Sequence, residues 1–218
     1  MPVGVGVPLN LPKRSNVVAM WSYEGDGKAD RSGYGHHINV FSGTPEACKI
    51  GTGVTERQWH GGNTQGTYTF GTSDWTFCCW IATGNNGGQT GFFAMAGQTC
   101  YFYKDYSNNL QGNDGGHGIG LGAIGYDRAW NHVAVVKSSG NAQVYRGGSA
   151  YGGAQTFDTS LTNGQFTPMW GSGGMEGWSY YQDEMIVWNV ALTAGEISTI
   201  YGLTSYVNPP LDSGVIYF

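Results

Sequence analysis

The sequence predicts an all-β fold, a sandwich of two antiparallel sheets with one short helix near the C-terminus. Apolar residues recur with a period of two in several segments, and only one segment carries helix signals. Glycine supplies 38 of the 218 residues without a collagen-like repeat, which is typical of a chain with many turns. A chain of this length is long enough to bury one substantial core.

Three segments show the alternation most clearly. Residues 118–123 alternate apolar side chains with glycine, which predicts a strand with one face on a core. Residues 130–136 and 141–146 repeat the pattern. The segment 138–140 between them reads Ser-Ser-Gly, and this composition predicts a hairpin turn.

Two further segments are predicted strands, 75–82 and 180–188. The first is bulky on both faces, which is typical of a central strand that is covered on two sides. Cys78 and Cys79 are neighbours in it, so their side chains should point to opposite faces. The chain has only 4 cysteines. We therefore expect small buried thiols in a reducing compartment rather than a disulfide scaffold.

The helix signals follow the last strand. Thr193 stands three residues before Glu196, the spacing of a reciprocal capping box, and Leu192 and Ile197 have the spacing of a hydrophobic staple. Gly202 is predicted to end the helix in a left-handed conformation after about one and a half turns.

Charge and hydropathy exclude several partners. The net charge is −5, and the chain has no run of Lys or Arg, so nucleic acid and anionic membranes are poor partners. No apolar stretch is long enough to span a membrane. The N-terminus lacks the order of charged and apolar residues that a secretory signal has, so we expect no signal peptide.

Three groups of residues, in register along the chain, resemble one family. They are 19–23 with 30–37, then 75–80 with 130–135 and 144–148, and finally 183–189 with 191–197. Together they resemble the concanavalin A-like lectin/glucanase superfamily in its laminin G-like branch, over residues 17–202. The resemblance implies a jelly-roll sandwich with one concave sheet. Residues 145–148 read Tyr-Arg-Gly-Gly where that family usually has Tyr-x-Asp-Gly, a departure confined to a turn.

The resemblance divides the chain into an N-terminal arm (1–14), a laminin G-like domain (15–204) and a C-terminal tail (205–218) with a hydrophobic end. A domain with such arms resembles bacteriophage virion proteins. Our leading hypothesis is a non-enzymatic virion surface protein, a capsid decoration or a tail or fibre component, made in the host cytoplasm. Its arms would contact copies of itself or other virion proteins, and its domain would hold host glycans. The alternative is a free-standing or secreted, extracellular carbohydrate-binding lectin module.

A glycoside hydrolase is a weaker alternative. The hydrolases of the superfamily resemble one another in placing two carboxylates at alternate positions of one strand. Here Glu24 and Asp26 are two apart but lie in turn-like sequence, and Asp183 and Glu184 are adjacent, which sends them to opposite faces. The histidines lack metal-binding spacing, and His132 is predicted to be a satisfied structural residue. We therefore predict that the chain is not an enzyme.

Calcium is the one cofactor that the sequence suggests. Asp26 and Asp30 lie on glycine-rich backbone, and calcium takes oxygen ligands in flexible geometry. The resemblance adds Asp183, because relatives often hold calcium between the N-terminal turn and the last long strand. The alternative is that Asp30 fixes a turn through its own backbone and that Asp183 accepts hydrogen bonds from a strand edge.

Loop residues suggest a ligand site. Sugar sites combine aromatic platforms with amide, carboxylate and backbone groups. Asn113, Asp114, Tyr126 and Trp178 supply these groups, and we predict that they form a glycan site. The alternative for each aromatic residue is a lid over the end of the core.

Overall fold

The computed structural model describes residues 10–23, 28–38, 44–47, 52–56, 74–83, 89–95, 100–114, 116–124, 129–157, 166–168 and 180–204. Within these residues two antiparallel sheets form a sandwich, and one α-helix follows the last strand. The predicted fold class is confirmed.

The larger sheet has 8 strands. They are β1 (Val17–Trp21), β2 (Thr44–Ala47), β3 (Thr52–Glu56), β4 (Trp75–Thr83), β9 (Asn131–Ser138), β10 (Asn141–Arg146), β11 (Ser149–Thr156) and β13 (Tyr180–Trp188). The spatial order is β11-β10-β9-β4-β13-β3-β2, and β1 also pairs with β13. The predicted central strand β4 therefore lies between β9 and β13, as its two bulky faces require.

The smaller sheet has 5 strands in the order β12-β5-β6-β7-β8. They are β5 (Thr90–Met95), β6 (Cys100–Lys104), β7 (Asn109–Asn113), β8 (Gly118–Ala123) and β12 (Thr167–Pro168). The side-chain amide of Gln155 in β11 donates to the Gly120 carbonyl of β8, and its carbonyl accepts from the Gly120 amide, at 3.4 and 3.2 Å. One side chain thus links an edge of each sheet, which shields an otherwise open strand edge.

The main core lies between the sheets and is rich in aromatic rings. Trp75 and Phe77 of β4 are fully buried, and the ring centroids of Phe77 and Phe102 are 4.4 Å apart. Phe93 and Phe157 join the same cluster. Burying a ring of this size contributes about 1.5 to 3 kcal/mol, so this cluster is the main source of stability.

A second apolar cluster covers the other face of the larger sheet. Helix α1 (Ala194–Thr204) packs Ile197 and Ile200 there, in the same cluster as Cys78 of β4. Cys79 belongs to the core between the sheets, so the two neighbouring thiols point to opposite faces as predicted. Burial raises the pKa of both thiols well above the ordinary value, which makes them poor nucleophiles at neutral pH.

The predicted hairpin between β9 and β10 is confirmed. Ser139 and Gly140 have φ values of 50° and 77°, and two positive values in succession define the type I′ turn that matches strand twist. Asp74 accepts hydrogen bonds from the Ser139 amide and the Ser138 hydroxyl, each at 3.2 Å, and so fixes the turn to the start of β4.

The start of α1 is as predicted, but its predicted end is wrong. The Thr193 amide donates to the Glu196 carboxylate at 2.7 Å, and the Glu196 amide donates to the Thr193 hydroxyl at 3.3 Å. The helix then continues through Gly202 to Thr204. The Thr204 hydroxyl accepts from the Trp80 indole and donates to the Ile200 carbonyl, each at 2.9 Å. This tertiary anchor on β4 holds the last turn in helical conformation.

Part of the predicted N-terminal arm packs on the domain. Leu11 is buried in the cluster under α1, and the Trp188 indole donates to the Pro12 carbonyl at 3.0 Å. Lys13 donates to the Ala191 carbonyl at 3.1 Å. Residues 1–9 and the predicted tail, 205–218, lie outside the described residues. Among the helices that the structure describes, none has the length and hydropathy to cross a membrane.

Replacing the cap residue tests how much α1 stabilises the fold. Thr193→Ala removes the hydroxyl that accepts from Glu196, and we expect it to lower the free energy of unfolding by about 1 kcal/mol. Thr199→Ala is the control, because Thr199 is an exposed residue of the same helix and alanine has the better helix propensity. Urea unfolding followed by tryptophan fluorescence measures both variants; equal free energies would contradict the capping role.

Candidate functional site

A cavity of about 460 Å³ lies where both sheets and α1 come together. Its walls come from β4, the start of β9, the turn between β10 and β11, the end of β8, and the last turns of α1. The lining residues are Trp80, Ala123, Trp130, Asn131, His132, Arg146, Gly147, Tyr151 and Tyr201. A volume of this size and an aromatic lining with few polar groups are typical of small-molecule sites.

Three rings pack together on one side of the cavity. Trp80 and His132 are cross-strand partners in β4 and β9, and their ring centroids are 5.3 Å apart in an edge-to-face arrangement. Tyr201 of α1 lies 5.6 Å from each of them. The Trp80 indole is fixed by Thr204, so strand and helix hold this side rigidly.

His132 is buried, but it is not the satisfied residue that the sequence predicts. Its side chain lies on the opposite face from Val133 and Val135, which belong to the core between the sheets. Neither imidazole nitrogen has a hydrogen-bond partner among the described residues, although the residue is only 2% exposed. Burial lowers the pKa of the imidazole from 6.5 to about 4, so the ring is neutral at physiological pH.

Among the described residues of the lining, Arg146 is the one that carries a charge. Its Nη1 donates to the Leu121 and Ala123 carbonyls, each at 3.1 Å, and its Nη2 donates to Asn131 Oδ1 at 2.6 Å. The guanidinium carbon also lies 5.7 Å from the centroid of the Tyr151 ring. Burial lowers the pKa of the guanidinium, although the neighbouring Tyr151 acts in the opposite direction. Arg146 therefore connects the two sheets at the cavity wall.

Two glycines make room for these side chains. Gly122 has a φ of 90°, and a Cβ there would lie 2.7 Å from both Arg146 Nη1 and the Tyr151 ring. Gly148 has a φ of 78°, and a Cβ there would lie 2.9 Å from Tyr201. Both positions thus need glycine for backbone conformation and for close approach. The glycine-rich sequence of this region shapes the cavity wall.

The outer part of the lining carries more exposed aromatic rings. Tyr151 is 45% exposed, and Trp130 is partly buried and contacts Tyr181 edge-to-face with centroids 6.2 Å apart. Neither the Tyr151 hydroxyl nor the Trp130 indole nitrogen has a hydrogen-bond partner among the described residues. These rings therefore offer both apolar faces and polar atoms to a bound molecule.

The predicted glycan cluster is only partly described. Asp114 accepts from the Gly116 and His117 amides at 3.0 and 2.6 Å, which fixes the turn between β7 and β8, and its side chain is 2% exposed. Tyr126 and Trp178 lie outside the described residues. The cluster therefore stays a prediction, while the Asp114 carboxylate has a clear structural role.

The other predicted residue, Asn113, lies on the outer face of the smaller sheet. It pairs with Tyr101 of the next strand, and Tyr103 and Gln111 occupy the same partly exposed face. The Tyr103 hydroxyl donates to Gln111 Oε1 at 3.3 Å. This face, with two tyrosines and two amides, is a second surface that suits a sugar.

Asp30 has the turn-forming role that the sequence left open as the alternative to calcium. Its Oδ1 accepts from the Met20 and Ser32 amides at 3.0 and 2.9 Å. Its Oδ2 accepts from the Ser32 hydroxyl and the His36 amide at 2.7 and 2.9 Å. Each oxygen already has two protein donors, so Asp30 does not fit a calcium ion unless one of them is displaced.

The other two predicted calcium ligands do not complete a site in the part of the chain that the structure describes. Asp26 lies outside it, and Asp183 is fully buried, with Oδ1 accepting from the Glu184 amide at 2.9 Å. No three acidic, histidine or cysteine side chains form a metal-binding group within the described ranges. Calcium stays a prediction from the sequence.

The adjacent acids of β13 lie at an irregularity. Glu184 has a φ of 47°, and the pairing register with β4 shifts between Asp183 and Ile186. A bulge of this kind interrupts the simple alternation from which opposite faces were predicted. Both acids are buried at the centre of the sheet. The other candidate pair, Glu24 and Asp26, lies outside the described residues.

The sequence did not predict which residues line the cavity, since they come from six separate segments of the chain. One signal was present. Residues 145–148 depart from the pattern of the resembling family, and this departure places Arg146 beside a glycine pair. The sequence assigned it to a turn alone, whereas the turn positions a guanidinium in the cavity lining.

The buried imidazole makes stability depend on pH. The folded state resists protonation of His132 because its pKa of about 4 lies below the unfolded value of 6.5. The free energy of unfolding therefore has its full value, with respect to this group, above about pH 6.5. It decreases as the pH falls, by about 3 kcal/mol at pH 4, because protonation of His132 favours the unfolded state. We expect His132→Phe, which keeps a ring between Trp80 and Tyr201, to remove this part of the pH dependence. Urea unfolding at several pH values measures the slope.

Thr199→Ala is the control for that experiment, because Thr199 is an exposed residue without a titratable group. It should leave the slope unchanged. A slope in His132→Phe equal to that of the unmodified chain would show that the imidazole is not buried as described.

Comparison with solved structures gives the same architecture. The binding domain of Paraclostridial Mosquitocidal Protein 1 superposes with a TM-score of 0.68 at 13% identity, covering 86% of this chain and 52% of that one. The receptor binding domain of Botulinum neurotoxin type G gives 0.65 at 16% identity, covering 86% and 51%. A Trypanosoma rangeli sialidase in complex with sialic acid gives 0.63 at 14% identity, covering 86% and 33%. The chain thus spans about half of each toxin domain and a third of the sialidase, and at these identities the likeness is one of fold.

Sequence comparison identifies the family. No curated protein matches the chain. The profile of Laminin_G_3, described as the concanavalin A-like lectin/glucanases superfamily, matches residues 49–198, which is more than half of the sequence. The chain therefore belongs to the concanavalin A-like lectin/glucanases superfamily, as a laminin G-like domain.

Proposed function

We propose that this chain is a non-enzymatic binding module that holds a carbohydrate in the cavity between β4, β9 and α1. The observation that carries the proposal is the lining itself, in which the partly exposed rings of Trp130 and Tyr151 lie beside the guanidinium of Arg146. Aromatic faces next to a few polar groups are typical of sites that bind small polar molecules.

The rest of the lining suits a sugar ring. Trp130 and Tyr151 offer aromatic faces, against which the apolar face of a pyranose packs. The Tyr151 and Tyr201 hydroxyls and the Trp130 indole add polar atoms around them. Apolar faces surrounded by a few directed polar groups are the combination by which protein sites recognise sugars.

The comparisons support a binding role. Two of the solved structures with this fold are the binding domain of a mosquitocidal protein and the receptor binding domain of a neurotoxin. A third is a sialidase, so the fold alone does not decide between binding and hydrolysis. The cavity favours binding, since among the described residues of its lining Arg146 is the only charged one and none is a carboxylate that could serve as acid or nucleophile.

A glycan array followed by calorimetry tests the proposal. We expect Tyr151→Ala and Trp130→Ala each to weaken binding of the captured glycan at least about tenfold, as loss of a stacking ring costs on the order of 1 kcal/mol or more. Tyr106→Ala is the matched control, since Tyr106 is 59% exposed and lies outside the cavity. Binding lost in Tyr103→Ala but retained in both cavity variants would place the site on the smaller sheet instead.

The hypothesis that the chain is a virion surface protein concerns the larger assembly to which it would belong. Its support is the resemblance, together with the two terminal segments outside the matched region. Glycan binding is compatible with it, because a virion protein that adheres to host glycans needs such a site. The virion, its assembly partners and the location there stay predictions from the sequence.

Deleting residues 205–218 tests the assembly role. If the tail mediates self-association, the full chain should sediment as an oligomer and the shortened chain as a monomer of unchanged thermal stability. A full chain that sediments as a monomer at concentrations on the order of 100 μM would contradict self-assembly through the tail. Analytical ultracentrifugation makes the measurement.

A further inference from the structure

We infer that the ligand of the cavity carries a carboxylate, and that Arg146 binds it through one edge of its guanidinium. The inference rests on the proposed carbohydrate site and names the class of sugar, an acidic one such as a uronic or sialic acid.

Two N–H groups of Arg146 have no acceptor among the described residues. A guanidinium has five N–H donors, and three of them go to neutral oxygens of Leu121, Ala123 and Asn131. The remaining donors are Nε–H and one Nη2–H, for which the described residues provide no acceptor. Nε and Nη2 lie on the same edge of the planar group, and this edge is one by which a guanidinium binds a carboxylate.

The cation also lacks an anionic partner in the part of the chain that the structure describes. No ion pair to Arg146 exists among the described residues, and its three acceptors are carbonyl oxygens of the backbone or of an amide. The side chain is partly buried, and burial is the first cause of its lowered pKa. Coulomb attraction is stronger at such a site than in open water, so an anion placed there would be bound more strongly than at the surface.

The surroundings fix the guanidinium in place. Asn131 accepts from Arg146 through Oδ1 while its amide nitrogen donates to the Ala129 carbonyl at 2.8 Å, so the acceptor cannot rotate away freely. Tyr151 stacks on one side, and Gly122 leaves the space that the group occupies. A group held on three sides loses little conformational entropy when a ligand binds, which favours selectivity for the matching anion.

The ring of Tyr151, which is 45% exposed, supplies a second, uncharged contact in the same cavity. Its apolar face suits the sugar ring, whereas the carboxylate goes to the cation. The cavity thus separates one ionic contact from one neutral contact. A free carboxylic acid without a ring would use only the first.

Paired ligands test the inference without changing the protein. The probes are sialyllactose against lactose, and a galacturonic acid trimer against its methyl ester, measured by calorimetry. We expect one acidic probe to bind about tenfold or more tightly than its neutral partner. Added salt should weaken binding of the acidic probe and leave that of the neutral one unchanged.

Arg146→Lys adds a protein-side test, because lysine keeps the charge but loses the two-donor edge. The preference for the acidic probe should fall about tenfold. Arg14→Lys is the matched control, since Arg14 is an exposed residue far from the lining. Circular dichroism and urea unfolding show whether the Arg146 variant is folded, and the salt dependence of the unmodified chain decides the matter if it is not.

The outcomes separate the two proposals. Equal binding of acidic and neutral sugars, lost in Tyr151→Ala, would overturn the carboxylate inference and leave the carbohydrate site standing. Absence of binding to every sugar on the array would overturn both. Binding of acetate or inorganic sulfate as tightly as of the acidic sugar would reduce the site to a general anion site and contradict the inference as well.

Discussion

The structure depends on β4 being buried on both faces. All of residues 75–82 are buried, so neither face of this strand can be left to solvent. Trp75 and Phe77 are covered by the smaller sheet, and the opposite face is covered by α1. Thr76 connects β4 to the segment that leads into α1, because its hydroxyl donates to the Val190 carbonyl and accepts from the Leu192 amide at 2.8 and 3.0 Å. The start of the helix is thereby fixed to the strand that it covers.

The cavity forms where this cover ends. Helix α1 buries the middle of β4 with Ile197 and Ile200, and its last turn reaches Trp80 through Thr204. There the rings of Trp80 and His132 pack against Tyr201 of the helix and form one side of the cavity. A sheet that is covered on one face by a helix of 11 residues therefore has an aromatic border at the helix end. The site follows from the same packing that stabilises the domain.

Much of the fold could be predicted because its signals are local. The limits of β8 and β10 follow alternation, and the start of α1 follows the spacing of Thr193 and Glu196. The predicted end of α1 was wrong, because the helix is held to Thr204 by the hydrogen bond between Trp80 and Thr204. This bond links residues 124 positions apart, and no local pattern encodes it. The cavity likewise depends on contacts between residues that are far apart in the sequence. In the sequence His132 resembles a core residue, and only the pairing of β4 with β9 places it beside Trp80.

In the proposed carbohydrate site, the aromatic rings and the guanidinium would contribute differently to selectivity. Stacking on Trp130 and Tyr151 would discriminate little among sugars, since most pyranoses have an apolar face. A guanidinium with no anionic partner among the described residues would discriminate strongly, because a neutral sugar that displaces water from it leaves a desolvated charge without compensation. Arg146 would thus add selectivity chiefly by penalising the wrong ligand. Because its three neutral acceptors already share the cost of holding the cation, the domain tolerates that charge when the cavity contains only water.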